Sequence, residues 1–129
     1  MVERLAVLIV DDDAGMARTT GLILSHKGYT VAIARDGREA IEQIKQRPFD
    51  VVLLDIKMPI MDGVETHRKI KQVRPNAVVV MMTGYAVEDL VQQALDDGAH
   101  GILYKPLDID KALAIIAEAK KGRRGKPNR

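Results

Sequence analysis

The sequence predicts an α/β fold built on a parallel sheet, and three observations lead there. Short aliphatic runs alternate with segments of helical period along the chain. Most of these runs are continuously apolar, as strands covered on both faces are. Helix-capping and helix-stopping residues fall where the two patterns meet.

The runs cover residues 5–10, 30–34, 51–54, 77–82 and 101–104. Between them, helical spacing places Ala17, Gly21 and Leu24 on one face, then Ala40, Ile41 and Ile44, then Val64, His67 and Ile70. A fourth face holds Leu90, Val91, Ala94 and Leu95, and a fifth Leu113, Ile116 and Ala117. Gly28, Pro48, Pro75 and Gly98 stand where the first four helices must stop. Asp36 and Asp108 stand at N-cap positions, and Asp13 reads as another cap or turn residue. The order is βαβαβαβαβα. Right-handed crossovers then give a doubly wound, flavodoxin-like five-stranded parallel sheet of order 2-1-3-4-5, with five helices on its two faces. Such sheets bind ligands beyond the strands' carboxyl ends, at the switch point between strands 1 and 3.

At 129 residues the chain suits one domain with one core. Aromatic residues are only 3% of it, so aliphatic residues and methionine must fill that core. The absence of cysteine excludes disulfides, thiolate metal sites and thiol catalysis. No apolar stretch approaches the roughly 20 residues that span a bilayer, and the first residues lack the pattern of a signal peptide. A cytoplasmic protein without membrane association is expected. The last ten residues carry six Lys or Arg and no acid; with those six set aside, the net charge of +2 becomes −4. With no aromatics and no periodic face, this segment reads as a solvated tail rather than a nucleic-acid surface. Residues 1–121 are expected to form the domain, and 122–129 a basic tail or the start of a linker.

The expected strand ends carry the chemistry. Asp11, Asp12 and Asp13 follow the first strand, Asp55 the third, Thr83 and Gly84 the fourth, Lys105 and Pro106 the fifth. Singly, each residue is ordinary: a cap, a β-former, a turn. Together at one mouth they are clustered carboxylates that need a counter-charge. An all-oxygen donor set suits Mg²⁺. A carboxylate beside such an ion can attack phosphorus, with Lys105 and Thr83 binding the equatorial oxygens.

VLIVDDD (7–13), VVLLDIKMPIMDG (51–63), VVVMMTGYA (78–86) and ALDDGAHGILYKPL (94–107) together resemble the response-regulator receiver domains, of which the chemotaxis regulator is the simplest. The resemblance covers residues 5–119. It implies a signalling domain rather than an enzyme, phosphorylated on Asp55 by a histidine kinase or a histidine phosphotransfer protein. It implies Asp12 as a direct Mg²⁺ ligand, Asp11 as its acidic neighbour, and Asp55 and the Lys57 backbone carbonyl as the remaining protein ligands. Thr83 would be the mobile switch residue, Lys105 would pair with a phosphoryl oxygen, and the Lys105–Pro106 bond would be cis. The helix 4–strand 5–helix 5 face would be the output surface, where the family dimerises or docks an output domain or partner protein.

Three positions depart from the family's pattern. Ile102 stands where an aromatic switch residue is usual, so Tyr85 or Tyr104 is expected to report activation instead. His67 replaces a usual leucine and is expected to be half-buried and hydrogen-bonded. His100 replaces an acid and is expected to face solvent. The three histidines are not at metal-ligand spacing.

A haloacid dehalogenase-like phosphotransferase, with Asp11 as nucleophile and Asp13, Thr83 and Lys105 as its other motifs, is the main alternative. Against it, Asp108 and Asp110 fall at a helix start rather than a strand end, and the chain has little room for a substrate cap. A nucleotide or flavin module lacks its glycine-rich motifs. A receiver-like binding module that is never phosphorylated would not need the full set of acids, Thr and Lys.

Overall fold

The computed structural model describes residues 4–84 and 87–125, with side chains described through Ala119. Five strands and five helices alternate: β1 (Ala6–Val10), α1 (Ala14–His26), β2 (Thr30–Ala34), α2 (Gly37–Gln46), β3 (Val51–Asp55), α3 (Gly63–Val73), β4 (Val79–Thr83), α4 (Glu88–Asp96), β5 (Gly101–Tyr104) and α5 (Ile109–Gly125). All pairings are parallel and the order is β2-β1-β3-β4-β5. This is the doubly wound, flavodoxin-like sheet expected from the sequence.

The continuous apolar runs are explained by burial on both faces. Every residue of β3 and of β4 is buried. Alternate residues enter two cores. Leu8, Val52, Leu54 and Met81 pack with α2, α3 and α4, while Ile9, Leu53, Val80 and Met82 pack with α1 and α5. Three expected caps are made: Asp13, Asp36 and Asp108 accept from the backbone N–H groups of Met16, Glu39 and Lys111. A fourth, Asp62, caps α3 through Glu65. Gly28 and Gly98 adopt φ of +103° and +97° beyond α1 and α4, where a Cβ would be strained.

Two helix faces differ from the expected ones. In α5 the fully buried residues are Ala112, Ile116 and Ala119, and Ala117 is exposed. The run ALAIIAEA is apolar nearly all round, so its period could not select the buried stripe. In α4 only Ala94 is fully buried, and Leu95 is exposed. The α5 backbone continues past residue 121, and 126–129 of the basic tail lie outside the described residues.

His67 requires a correction. It is fully buried, not half-buried, and neither ring nitrogen has a hydrogen-bond partner among the described residues. Its place on α3, between Val64 and Ile70 on the helical period, turns it into the apolar layer. His100, by contrast, is exposed, with Nε2 lying 3.6 Å from Glu118.

Candidate functional site

An open basin of about 730 Å³ lies at the carboxyl ends of the strands. Asp11, Asp12, Asp55, Lys57, Gly84 and Lys105 line it, with Met16, Met58 and Pro59 on its apolar side. The sheet places these groups. The Asp11 N–H donates to the Ala34 carbonyl at 3.1 Å, extending the β1–β2 ladder by one residue. Asp55 closes β3, and the next residue, Ile56, donates to the Met82 carbonyl at 2.9 Å. The chain then loops out and returns at Gly63, whose N–H donates to the Ile56 carbonyl at 2.7 Å. A Cβ on Gly63 would run into the Asp55 carbonyl and the Ile56 backbone, so only glycine permits this return beside Asp55. Lys105 follows β5, with its N–H on the Thr83 carbonyl at 2.8 Å and a cis bond to Pro106.

One ammonium joins two of the acids. Lys105 Nζ donates to Asp11 Oδ2 at 2.8 Å and to Asp55 Oδ2 at 3.0 Å. The opposite oxygens are also engaged: Asp11 Oδ1 accepts from the Asp13 N–H at 2.9 Å, and Asp55 Oδ1 from the Lys57 N–H at 3.3 Å. Asp11 and Asp55 are buried, and Asp12 is exposed. Carboxylate oxygens of all three lie within 4.8 Å of one another.

Charge in the acidic cluster is unbalanced: three carboxylates lie together, and the one ammonium bonded to them is that of Lys105. Burial pushes the Asp55 carboxyl up to about 6; the Lys105 hydrogen bond and charge oppose this, and Asp11 reinforces it. Burial pushes the Lys105 ammonium down, but its hydrogen bonds and attraction to Asp11 and Asp55 outweigh that and leave it raised. Lys105 is therefore a permanent cation, and Asp55 is an uncomfortable anion that a second cation would stabilise.

The sequence-derived residues thus converge, with one qualification. Thr83 is fully buried at the end of β4, and its neighbour Gly84 lines the basin. Asp13 serves as a helix cap at the basin's edge. The sequence reading missed Met16, whose place in the first turn of α1, directly after the acidic triplet, was the available signal. It also missed Ile60, a fully exposed residue at φ 70° in the loop beyond Pro59.

A doubly wound parallel sheet with paired acids after β1, an aspartate closing β3 and a cis Lys–Pro after β5 has the organisation of a receiver domain. The family model for the response regulator receiver domain matches residues 7–117, and the chain belongs to that family. It is similar to the transcriptional regulatory protein ZraR of Klebsiella oxytoca, 41% identical over 91% of this chain and 26% of that protein. It is 36% identical to the DNA-binding transcriptional regulator NtrC of Escherichia coli (strain K12), over 92% of this chain and 25% of that one. The chain thus spans about a quarter of the length of these relatives. Among solved structures, a CheY-like receiver domain protein from Methanospirillum hungatei JF-1 superposes with a TM-score of 0.85 at 33% identity, covering 93% of this chain and 99% of that one. The protein is a receiver domain of a two-component response regulator, a signalling domain. Asp11, Asp12 and Asp55 form the kind of acidic cluster at which receiver domains bind Mg²⁺. Among the described residues, no helix is long and apolar enough to cross a membrane.

Proposed function

We propose that this domain accepts a phosphoryl group on Asp55, in a Mg²⁺-dependent transfer from the phosphohistidine of a histidine kinase or a histidine phosphotransfer protein. The observation that carries the reading is the buried Asp55 carboxylate at the end of the central strand, held by Lys105 at 3.0 Å within a cluster of three acids. The donors fit the ion: they are all oxygen, and their charge exceeds what Lys105 balances. Asp12 and Asp55 would hold Mg²⁺ directly with the Lys57 carbonyl, Asp11 standing beside them. Bound there, the ion would offset the negative charge of the incoming phosphoryl group.

The chain's own groups perform the transfer. An Asp55 carboxylate oxygen attacks phosphorus, forming the P–O bond of an acyl phosphate as the P–N bond to imidazole breaks. The released imidazole nitrogen takes up a proton from solvent. Lys105 shifts from the free carboxylate to a phosphoryl oxygen, and the Thr83 hydroxyl donates to another. The phosphorylated state then changes the α4–β5–α5 face, where a C-terminal output domain, a partner protein or a second copy is engaged. Residues 1–121 would make up the domain, and 122–129 a basic tail or linker start. It would work in the cytoplasm and bind neither nucleic acid nor membrane directly.

Incubation with acetyl phosphate and Mg²⁺, followed by borohydride trapping and peptide mapping, tests this. One label at Asp55, lost in EDTA and in Asp55→Asn, is expected. A label at Asp11 would instead support the dehalogenase-like reading, and no label at all would leave the chain a receiver-like binding module.

A further inference from the structure

His67 is a buried titratable group that the phosphoryl chemistry does not use. Its side chain is fully excluded from solvent, and both Nδ1 and Nε2 lack a hydrogen-bond partner among the described residues. A neutral imidazole always carries one N–H donor and one bare acceptor, so both are left unsatisfied here. Such groups are rare in folded proteins and demand an explanation. Leucine would fill a similar volume without leaving either group unpaired.

The ring lies on the face of α3 turned to the α2–α3–α4 side of the sheet, where Val64 and Ile70 share an apolar cluster with Leu90, Val91 and Ala94 of α4. Asp97, at the end of α4, bears on the ring and favours its protonation. Arg68 and Lys71 on its own helix oppose that, and α2 and β3, which also pack on α3, contribute no charge that bears on it. Asp97 is itself engaged by Arg68 at 2.7 Å, and Lys71 Nζ donates to the Ala77 carbonyl at 2.8 Å. Together, desolvation and the two flanking cations hold the buried ring below its ordinary titration range.

The neighbouring helix is weakly held. α4 is short, has no side-chain N-cap hydrogen bond, and fully buries only Ala94. Elements with so few anchors open at lower free energy than the rest of a domain. An imidazole that takes a proton less readily in place than once exposed draws that opening to lower pH.

We propose that His67 is an acid-sensitive latch at the α3–α4 seam: the ring accepts a proton only when the two helices part, so acidification opens this seam ahead of the rest of the domain. Because α4 follows the strand end that carries Thr83, protonation of His67 would act on the output side of the molecule, apart from the phosphorylation basin. The latch operates in the unphosphorylated protein and does not depend on the function proposed for Asp55.

The linkage sets the size of the effect. With the opened ring titrating near 6.5 and the closed ring remaining neutral, the open population rises about tenfold between pH 7.5 and 5.5. Hydrogen exchange of the full chain at these two pH values, corrected for intrinsic exchange rates, reads it directly. Protection should fall about tenfold in α4 and the second half of α3, and stay nearly constant in α1, α2 and α5. His67→Leu should abolish the pH response while keeping the fold. A histidine Cε1–H titration of the wild type should show His67 unprotonated in the closed protein at pH 5.5. The same pH response in His67→Leu, a loss of protection spread evenly over all five helices, or a His67 signal titrating near 6.5 in the closed protein would each overturn the proposal.

Discussion

The Asp55 anion is less favoured in its own site than in water, because burial and Asp11 outweigh Lys105. That has a consequence for stability. A carboxyl raised from 3.8 to about 6 on folding contributes stability below pH 3.8, and loses it as pH rises through about 6. At neutral pH the ionised group therefore works against the fold. Asp55→Asn removes that cost, and should stabilise the metal-free protein at pH 7.5 by about 1–3 kcal/mol, a pKa unit being worth about 1.4 kcal/mol. The gain should vanish towards pH 4 and narrow when millimolar Mg²⁺ is added to the wild type; urea midpoints at the two pH values check it. The identity of the site's residues was legible in the sequence because each stands directly after an aliphatic run, and the sheet then aligns the run ends. Ile60 was not legible. Its φ of 70° and the Met61 N–H on the Pro59 carbonyl at 2.8 Å make a tight, strained turn. Sequence reasoning places such turns at Gly or Asn, and an isoleucine gives no warning. The two unpaired nitrogens of His67 were equally hidden, since helical period predicts which face a residue takes and not whether a partner waits there.

At the scale of the element, the acidic triplet divides its work between a helix and a cluster. Asp13 accepts from the Met16 N–H at 3.1 Å and caps α1, while Asp11 and Asp12 turn towards Asp55. Consecutive residues at a strand end diverge, so three neighbours cannot serve one ion equally. Asp13→Ala should cost about 1 kcal/mol in thermal or urea unfolding, as lost caps do, and leave Mg²⁺ affinity near that of the wild type. Asp12→Ala should do the reverse, keeping stability and losing metal binding and phosphorylation together. Isothermal titration with Mg²⁺ distinguishes them; loss of metal by Asp13→Ala alone would move the ligand assignment by one residue. Elements were legible where a capping or stopping residue bounded them, as Asp36 and Gly28 do. Their edges blurred where none did: the fourth strand was expected over 77–82 and runs from Val79 to Thr83, because Ala77 closes a turn onto the Arg74 carbonyl instead of joining the sheet.

Across the whole molecule, Lys105 links three strands. It follows β5, yet its ammonium reaches Asp11 beyond β1 and Asp55 at the end of β3. Phosphorylation would give that ammonium a new partner and move the strand end that carries it. The proposed output face adjoins that end: Tyr104, immediately before the lysine, pairs in register with Thr83 and is exposed, while Ile102 packs into the cluster shared with α3 and α4. A stiff β-branched residue at 102 has no ring to swing. Movement passed along the β4–β5 pairing would be reported by Tyr104; Tyr85, the other tyrosine expected to respond, lies outside the described residues. Lys105→Ala should still be phosphorylated by acetyl phosphate with Mg²⁺, more slowly, because the metal-binding acids remain. It should not transmit the event, because a ligand shifts a population only through contacts that differ between the two states. With beryllofluoride and Mg²⁺ as an acyl-phosphate mimic, amide shifts in the wild type should extend through Tyr104 into α4, and in Lys105→Ala stop at the basin. Shifts in α4 of equal size in both proteins would show that the lysine holds the phosphoryl group without conveying its presence.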